Sequence, residues 1–345
     1  MENISALQFL ETGTQFPKVY WKSRGSSVAF AGCGEGSHGG VSFGGQAFSP
    51  QACQGIWKSF PASFYFSPQA LIQKAWSPDV LAFSLPRLLK RQDLPSKENW
   101  ILQVKDATHK IGRKDFEKVV LARQTTLSFE NSVDPYQILR MLNPLGKETS
   151  LFLLQINSET TFLGATPEKL FHRKNRALSS EALAGTKDLS DSWTSKEFAE
   201  ITPVQTFLND QFHLCCDTFK WLPPKEQTFG RLNHLYQGVE GVLKEGICDA
   251  TLFTHLHPTP ALGGFPHKEA LHYISQMEPF HRGWYGGPFG LLSHTETDMA
   301  VAIRSALICG PQIHLFAGAG ITSLSNPEKE WEELDKKIAY FLRFL

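Results

Sequence analysis

Strand-like and helix-like stretches follow one another irregularly along this 345-residue chain, and that irregularity constrains its fold more than any other feature. Short apolar or aromatic runs between turn residues read as strands: Val19-Tyr20-Trp21, Val28-Ala29-Phe30, Phe64-Tyr65-Phe66 and Val80-Leu81-Ala82-Phe83 early in the chain. The runs 118–123, 150–156, 168–173, 284–293, 300–309 and 313–318 continue the β pattern. Helical spacing marks Ser96–Arg113, with Ser96 as N-cap, Asp134–Leu142, Ser195–Phe219, where Pro203 predicts a bend or restart, and a last helix opened by Asn326-Pro327. Parallel strands need a crossover between each pair. Without that period the expected class is α+β, with a large antiparallel body. Residues 1–95 form a β-rich first part and 96–345 the rest. No repeat, low-complexity run or linker cuts the chain, so 1–345 is expected to be one domain.

Composition narrows the partners. With 41% hydrophobic residues the chain can bury a core, and Lys plus Arg (34) equal Asp plus Glu (34), so charge recommends neither nucleic acid nor an anionic membrane. A small-molecule partner is expected. No basic flank leads into an apolar leader and no apolar run reaches membrane-spanning length, so a cytoplasmic protein is expected. The six cysteines lack C-x-x-C spacing and are read as reduced, packed thiols.

Chemistry concentrates at a few positions. After Gly318-Ala319-Gly320, the last helix carries Glu330 and Glu333 three residues apart, with Lys337 one turn further on. Glu197 and Glu200 repeat the acidic spacing. Two such pairs offer oxygen ligands to a hard divalent cation, and Mg2+ is the expectation. Lys118 interrupts an apolar strand: it either faces solvent or is buried, in which case its pKa falls and a neutral amine becomes available as a base. Glu168 either ends a turn after Pro167 or sits shielded, with a raised pKa, as a proton donor. Gly32-Cys33-Gly34-Glu35-Gly36 lacks the third glycine of a dinucleotide fingerprint, since residue 37 is Ser, and is read with Gly44-Gly45 as tight turns between strands. His255 and His257, next to a proline, are read as loop residues.

In order along the chain, Lys118-Val119-Val120-Leu121-Ala122-Arg123, Thr166-Pro167-Glu168-Lys169-Leu170, Leu183-Ala184-Gly185-Thr186, Ser195-Lys196-Glu197-Phe198-Ala199-Glu200, the segment His257 to Gly264, Arg282-Gly283-Trp284-Tyr285, Ala302-Ile303-Arg304 and the block Gly318 to Lys337 resemble the chorismate-binding enzymes. Within that family the wording is most similar to isochorismate synthases of the menaquinone type. The resemblance implies two packed antiparallel sheets flanked by helices, as in anthranilate synthase component I, and magnesium-dependent isomerisation of chorismate to isochorismate. It implies Lys118 as the base that activates water and Glu168 as the acid for the leaving hydroxyl. It also implies Glu200 and Glu333 as direct metal ligands, with Glu197 and Glu330 acting through water. Gly185, Thr186, His234, Ala261, Leu262, Tyr285, Arg304, Gly318, Gly320 and Lys337 match substrate-pocket positions, with Arg304 the clamp on the enolpyruvyl carboxylate. No glutaminase subunit is expected, because ammonia-using relatives usually lack a lysine at 118 and the aminodeoxychorismate type carries a lysine where this chain has Ala184. Ala261, where pyruvate-eliminating salicylate synthases tend to carry Thr, implies release of isochorismate. A binding module without turnover would not need both Lys118 and Glu168.

Overall fold

A computed structural model of the chain describes residues 4–36, 40–190, 192–229 and 232–342. Helix α1 (Ala6–Thr12) is followed by strands β1 (Lys18–Lys22), β2 (Val28–Gly36), β3 (Val41–Gln46), β4 (Ser63–Ala75) and β5 (Leu88–Leu94), helix α2 (Lys97–Gly112) and strand β6 (Lys118–Phe129). Helix α3 (Pro135–Leu142) precedes β7 (Ser150–Gln155), β8 (Thr160–Thr166), β9 (Lys169–Lys174) and β10 (Ala177–Asp188). Helix α4 (Ser195–Cys215) leads to β11 (Cys216–Trp221), β12 (Lys225–Phe229) and β13 (Leu232–Leu243). The last stretch holds α5 (Asp249–Leu256), β14 (Gly264–Phe265), α6 (His267–Met277), β15 (Pro288–Ser293), β16 (Glu296–Val301), β17 (Ser305–Cys309), β18 (Gln312–Ile321) and α7 (Pro327–Leu342).

The fold is α+β, and the pairings among the described strands are antiparallel. A first ladder runs β6–β18–β17–β8–β7–β1–β2–β4. A second runs β4–β3–β15–β16–β9–β10–β13. Strand β4, 13 residues long, belongs to both: Ser63–Phe66 pair with β3 and Ser67–Ala75 with β2. Two sheets therefore form from one continuous ribbon of strands.

Inward side chains of both ladders meet in an aromatic core. Trp21, Phe152, Phe162 and Phe316 come from the first ladder, Phe43 and Phe289 from the second, with Trp57, Phe60 and Trp284 between them. The rings meet at tilted or edge angles, Phe152 to Phe289 at 4.9 Å and Trp57 to Phe162 at 5.2 Å between centroids. Truncating one such ring to alanine costs about 3–5 kcal/mol. Helices cover the outside. Trp100 of α2 meets Trp331 of α7 at 6.3 Å, and Ser96 caps α2 by accepting from Asn99 N.

Several sequence expectations need correction. Val80–Phe83 is not a strand; Leu81 and Phe83 pack on the core instead. Gly32–Gly36 belong to strand β2, Gly36 as its last residue, and Gly44-Gly45 to strand β3, rather than to turns. A Cβ on Gly44 would lie 2.0 Å from the Phe64 carbonyl oxygen and one on Gly45 2.2 Å from that of Pro288, so these glycines permit close approach of neighbouring strands. Ser37 lies outside the described residues. Pro203 sits inside α4 without ending it, because Ile201, Val204, Leu208 and Phe212 bury a helical stripe that outweighs the missing N–H. That helix stops at Cys215 and the chain enters β11. The run 284–293 becomes a strand only from Pro288. His255 is helical, its Nδ1 2.9 Å from Gln211 Oε1, while half-buried His257 places Nε2 3.2 Å from the Phe48 carbonyl oxygen. The run 300–309 is split between β16 and β17, and the break is where the site begins. The six cysteines are all free.

Candidate active site

The chain crosses between the two ladders twice at one place: β8 passes to β9 through Pro167-Glu168, and β16 returns to β17 through residues 302–304. The crossings are laced together. Thr166 Oγ1 donates to the Val301 carbonyl at 2.6 Å, Val301 N to the Glu168 carbonyl at 3.0 Å, and Ala165 N to the Arg304 carbonyl at 3.1 Å. Arg304 has φ +50°, a left-handed conformation uncommon for a residue with a side chain and held here by these bonds.

The crossings form one wall of a pocket. Lys118 and Val120 line it from β6, and Phe316, Gly318 and Gly320 from β18, each set two residues apart and so on one face of its strand. Gly185 of β10, His234 of β13, Glu200 of α4, Lys337 of α7 and the loop residues Ala261, Leu262, Tyr285, Glu168 and Arg304 complete it. The pocket thus gathers the expected catalytic and substrate positions except Thr186, whose side chain lies outside the described residues.

Burial sets the protonation chemistry. Lys118 is 2% exposed and donates through Nζ to the Glu200 carbonyl at 2.8 Å. Burial pulls its pKa down to about 8, against the pull of Glu200 and Glu168. Glu168, 6% exposed, is pushed up to about 8, first by burial and then by neighbouring Glu181, with Lys118, Arg24 and Lys337 opposing. Each group is therefore drawn toward its uncharged form, as a neutral amine and a protonated carboxyl. Burial, Arg304 and Lys337 push His234 down to about 3, which leaves a neutral imidazole. Burial raises the Tyr285 phenol, whose ring stacks on Phe316 at 5.3 Å.

Missing side chains make room. A Cβ on Gly320 would lie 3.2 Å from Lys118 Cε and 3.3 Å from Glu200 Oε2, and one on Gly318 3.0 Å from the Tyr285 hydroxyl. Gly185 has φ +69° and backs onto Glu197. Behind the pocket, buried Arg282 donates to the carbonyls of Leu262 (2.9 Å) and Val120 (2.7 Å) while paired with Glu278, which accepts from Ala122 N at 2.8 Å. This ion pair fastens the 261–262 loop to the strand that carries Lys118.

The acidic side is arranged differently. Of the four expected metal carboxylates only Glu200 lines the pocket. Glu333 pairs with Lys337 at 2.7 Å, and the same ammonium donates to the Gly318 carbonyl at 2.7 Å. Glu197 Oε2 accepts from Thr194 N (2.8 Å) and Thr194 Oγ1 (2.6 Å), one arm of a capping box at the start of α4. Glu330 is fully buried on α7. Among the described residues no group of three or more His, Cys, Asp or Glu side chains is close enough to hold a metal ion. Phe316 and Ala317 line the pocket without having been anticipated; the two-residue period leading to Gly318 and Gly320 was the signal that points to Phe316.

The sequence matches the chorismate binding enzyme family over residues 81–345. It is 35% identical over 274 residues to "Isochorismate synthase 2, chloroplastic" of Arabidopsis thaliana, covering 75% of this chain and 49% of that protein. It is 33% identical over 263 residues to isochorismate synthase MenF of Escherichia coli K12, covering 72% and 61%. The chain thus spans roughly half to three-fifths of these relatives' length. In structure it superposes on MenF from Escherichia coli, described as the menaquinone-specific isochorismate synthase, with a TM-score of 0.87 and 25% identity over 98% of this chain and 90% of that one. Anthranilate synthase component I from Streptococcus pneumoniae shares the fold, with a TM-score of 0.75 and 17% identity over 94% of this chain and 90% of that one. No described helix is long and apolar enough to cross a membrane.

Proposed function

Because the chain belongs to the chorismate-binding enzyme family, we propose that it is an isochorismate synthase, one chorismate-binding unit over residues 1–345 that converts chorismate to isochorismate with magnesium. The observation that carries this reading is Lys118 and Glu168 in one pocket, one amine and one carboxyl, both drawn to about 8 by burial. That is the pairing a concerted exchange of hydroxyl groups requires.

Neutral Lys118 takes a proton from the water that attacks C2 of the ring, and protonated Glu168 gives its proton to the departing C4 hydroxyl. One water enters, one leaves, and the ring double bonds shift between them. Arg304, with Tyr285 beside it, receives the enolpyruvyl carboxylate through its planar fork. Neutral His234 faces the substrate without adding charge, and Gly185, Thr186, Gly318 and Gly320 let the backbone approach it. Ala261 and Leu262 give one wall an apolar surface.

The donor set suits magnesium in kind. Carboxylate oxygens are hard ligands, and Mg2+ is usually held by one or two of them with waters and substrate oxygens rather than by a closed protein cage. Glu200 and Glu333 would hold the ion directly, with Glu197 and Glu330 acting through water, and Lys337 balances the cluster. When bound, the ion neutralises the ring carboxylate of chorismate. The product serves menaquinone or, as the alternative, a catecholate siderophore. Chorismate is the partner, in the cytoplasm, with neither a glutaminase subunit, nucleic acid nor a membrane surface required. The test is product analysis after incubation with chorismate and Mg2+: isochorismate should accumulate, and either unchanged chorismate or salicylate as main product overturns the reading.

A further inference from the structure

Outside the pocket lining, a largely buried ion pair grips the chain on both sides of Glu168. Arg24, in the turn between β1 and β2, donates to the Pro167 carbonyl and forks onto both oxygens of Glu181, with Nη1 to Oε1 at 2.9 Å. Glu181, on β10, accepts from the backbone N–H of Lys169 at 2.9 Å. The residue before Glu168 and the residue after it are thus each tied to one member of the pair. Their side chains are 20% and 4% exposed. Arg24 is itself held, its N–H donating to Ser150 Oγ at 2.9 Å and its guanidinium lying 5.7 Å from the Phe229 ring centre. A forked arginine–carboxylate pair fixes direction as well as distance.

We propose that Arg24 and Glu181 are positioning residues for the Glu168 carboxyl, so that the segment before residue 81, outside the family match, takes part in orienting the proton donor. This rests on Glu168 acting as the acid in the reading above. The two halves also act on Glu168 in opposite electrical senses: the Glu181 charge favours its protonated form and the Arg24 charge its ionised form. The other charged groups facing it, Lys118 from β6 and Lys337 from α7, side with Arg24, while Tyr285 faces it as a neutral phenol.

The test is a carbon-13 NMR titration of the Glu168 carboxyl, assigned by its loss in Glu168→Gln, together with steady-state kinetics on the full chain. Arg24→Met should raise the Glu168 midpoint and Glu181→Gln should lower it, each by about one pH unit. In both, kcat should fall by about tenfold or more with KM for chorismate within about twofold. Midpoints that stay put or move the same way, or kcat within about twofold of wild type, would overturn the proposal. If a single variant fails to fold, the double variant Arg24→Met/Glu181→Leu replaces the pair with apolar groups, an exchange buried ion pairs often tolerate. It should still lose kcat, and wild-type kcat there sinks the idea. The titration needs no turnover, so a wild-type protein that leaves chorismate unchanged would defeat the isochorismate synthase reading without deciding the clamp.

Discussion

The pocket has two sides built on different principles. On the strand side, Lys118, Gly318, Gly320, Glu168 and Arg304 sit on or between paired strands, and their backbone is tied by cross-strand hydrogen bonds and by the laced crossings. On the helix side, Glu197, Glu200, Glu330 and Glu333 project from α4 and α7, and of these Glu197 is bonded to Thr194 and Glu333 to Lys337, while Glu200 alone of the four lines the pocket. Strand-borne groups are therefore preorganised before any ligand arrives. The comparison teaches that the lysine and glutamate proposed to move protons are held by the sheet, whereas the four carboxylates proposed to hold the metal are held by two helices.

The largest effect expected is on the strand side. Lys118→Ala should fold and bind chorismate but lose about 10²- to 10⁴-fold in kcat, and wild-type-like turnover would remove the lysine from its role. Glu168→Gln should match it in size; a loss under about twofold would mean that the acid lies elsewhere.

The pH profile sharpens the same side. Lys118 must be neutral, so activity should fall as pH drops below about 8; Glu168 must be protonated, so activity should fall as pH rises above about 8. A narrow bell follows, losing about tenfold per unit on each limb, with apparent midpoints that belong to the coupled pair. A flat profile between pH 6 and 10, roughly two units either side of these midpoints, would break the assignment.

For the helix side, chelation should abolish activity and added Mg2+ restore it. In a Mg2+ titration Glu333→Gln should raise the half-saturating concentration by about tenfold or more, and Glu330→Gln by less if it acts through water. The reverse order would exchange the direct and water-mediated ligands. The smallest effect concerns product ratio. Wild type should release isochorismate with only traces of salicylate and pyruvate, because Ala261 offers no hydroxyl to organise the enolpyruvyl arm for elimination; a chromatographic time course dominated by salicylate contradicts this.

Much of the site was legible because its chemistry is local in sequence. A lysine inside an apolar run, a glutamate after proline and two acidic pairs at helical spacing each stand out against their neighbours. The strands β10 to β13 were harder to read: Lys225-Glu226-Gln227-Thr228 and Asp217-Thr218-Phe219-Lys220 carry so much polarity that only their pairing with β13 identifies them. Arg24 and Glu181 were invisible for another reason. They are 157 positions apart, and nothing around either one names its partner.

Residue order by itself pointed to the α+β class, the capped α2, the helix α3 and the candidate lysine and glutamates, since periodicity, caps and charge placement act over a few residues. Tertiary structure decided the rest. Whether Lys118 faced water or the interior depended on strands β18 and β14 closing over β6 and on α4 delivering the Glu200 carbonyl. How far the Glu168 carboxyl is pushed toward its protonated form depended on two crossings meeting and burying it. A pKa is set by everything within a few ångströms in space, and here those neighbours come from strands, loops and helices spread over the whole chain.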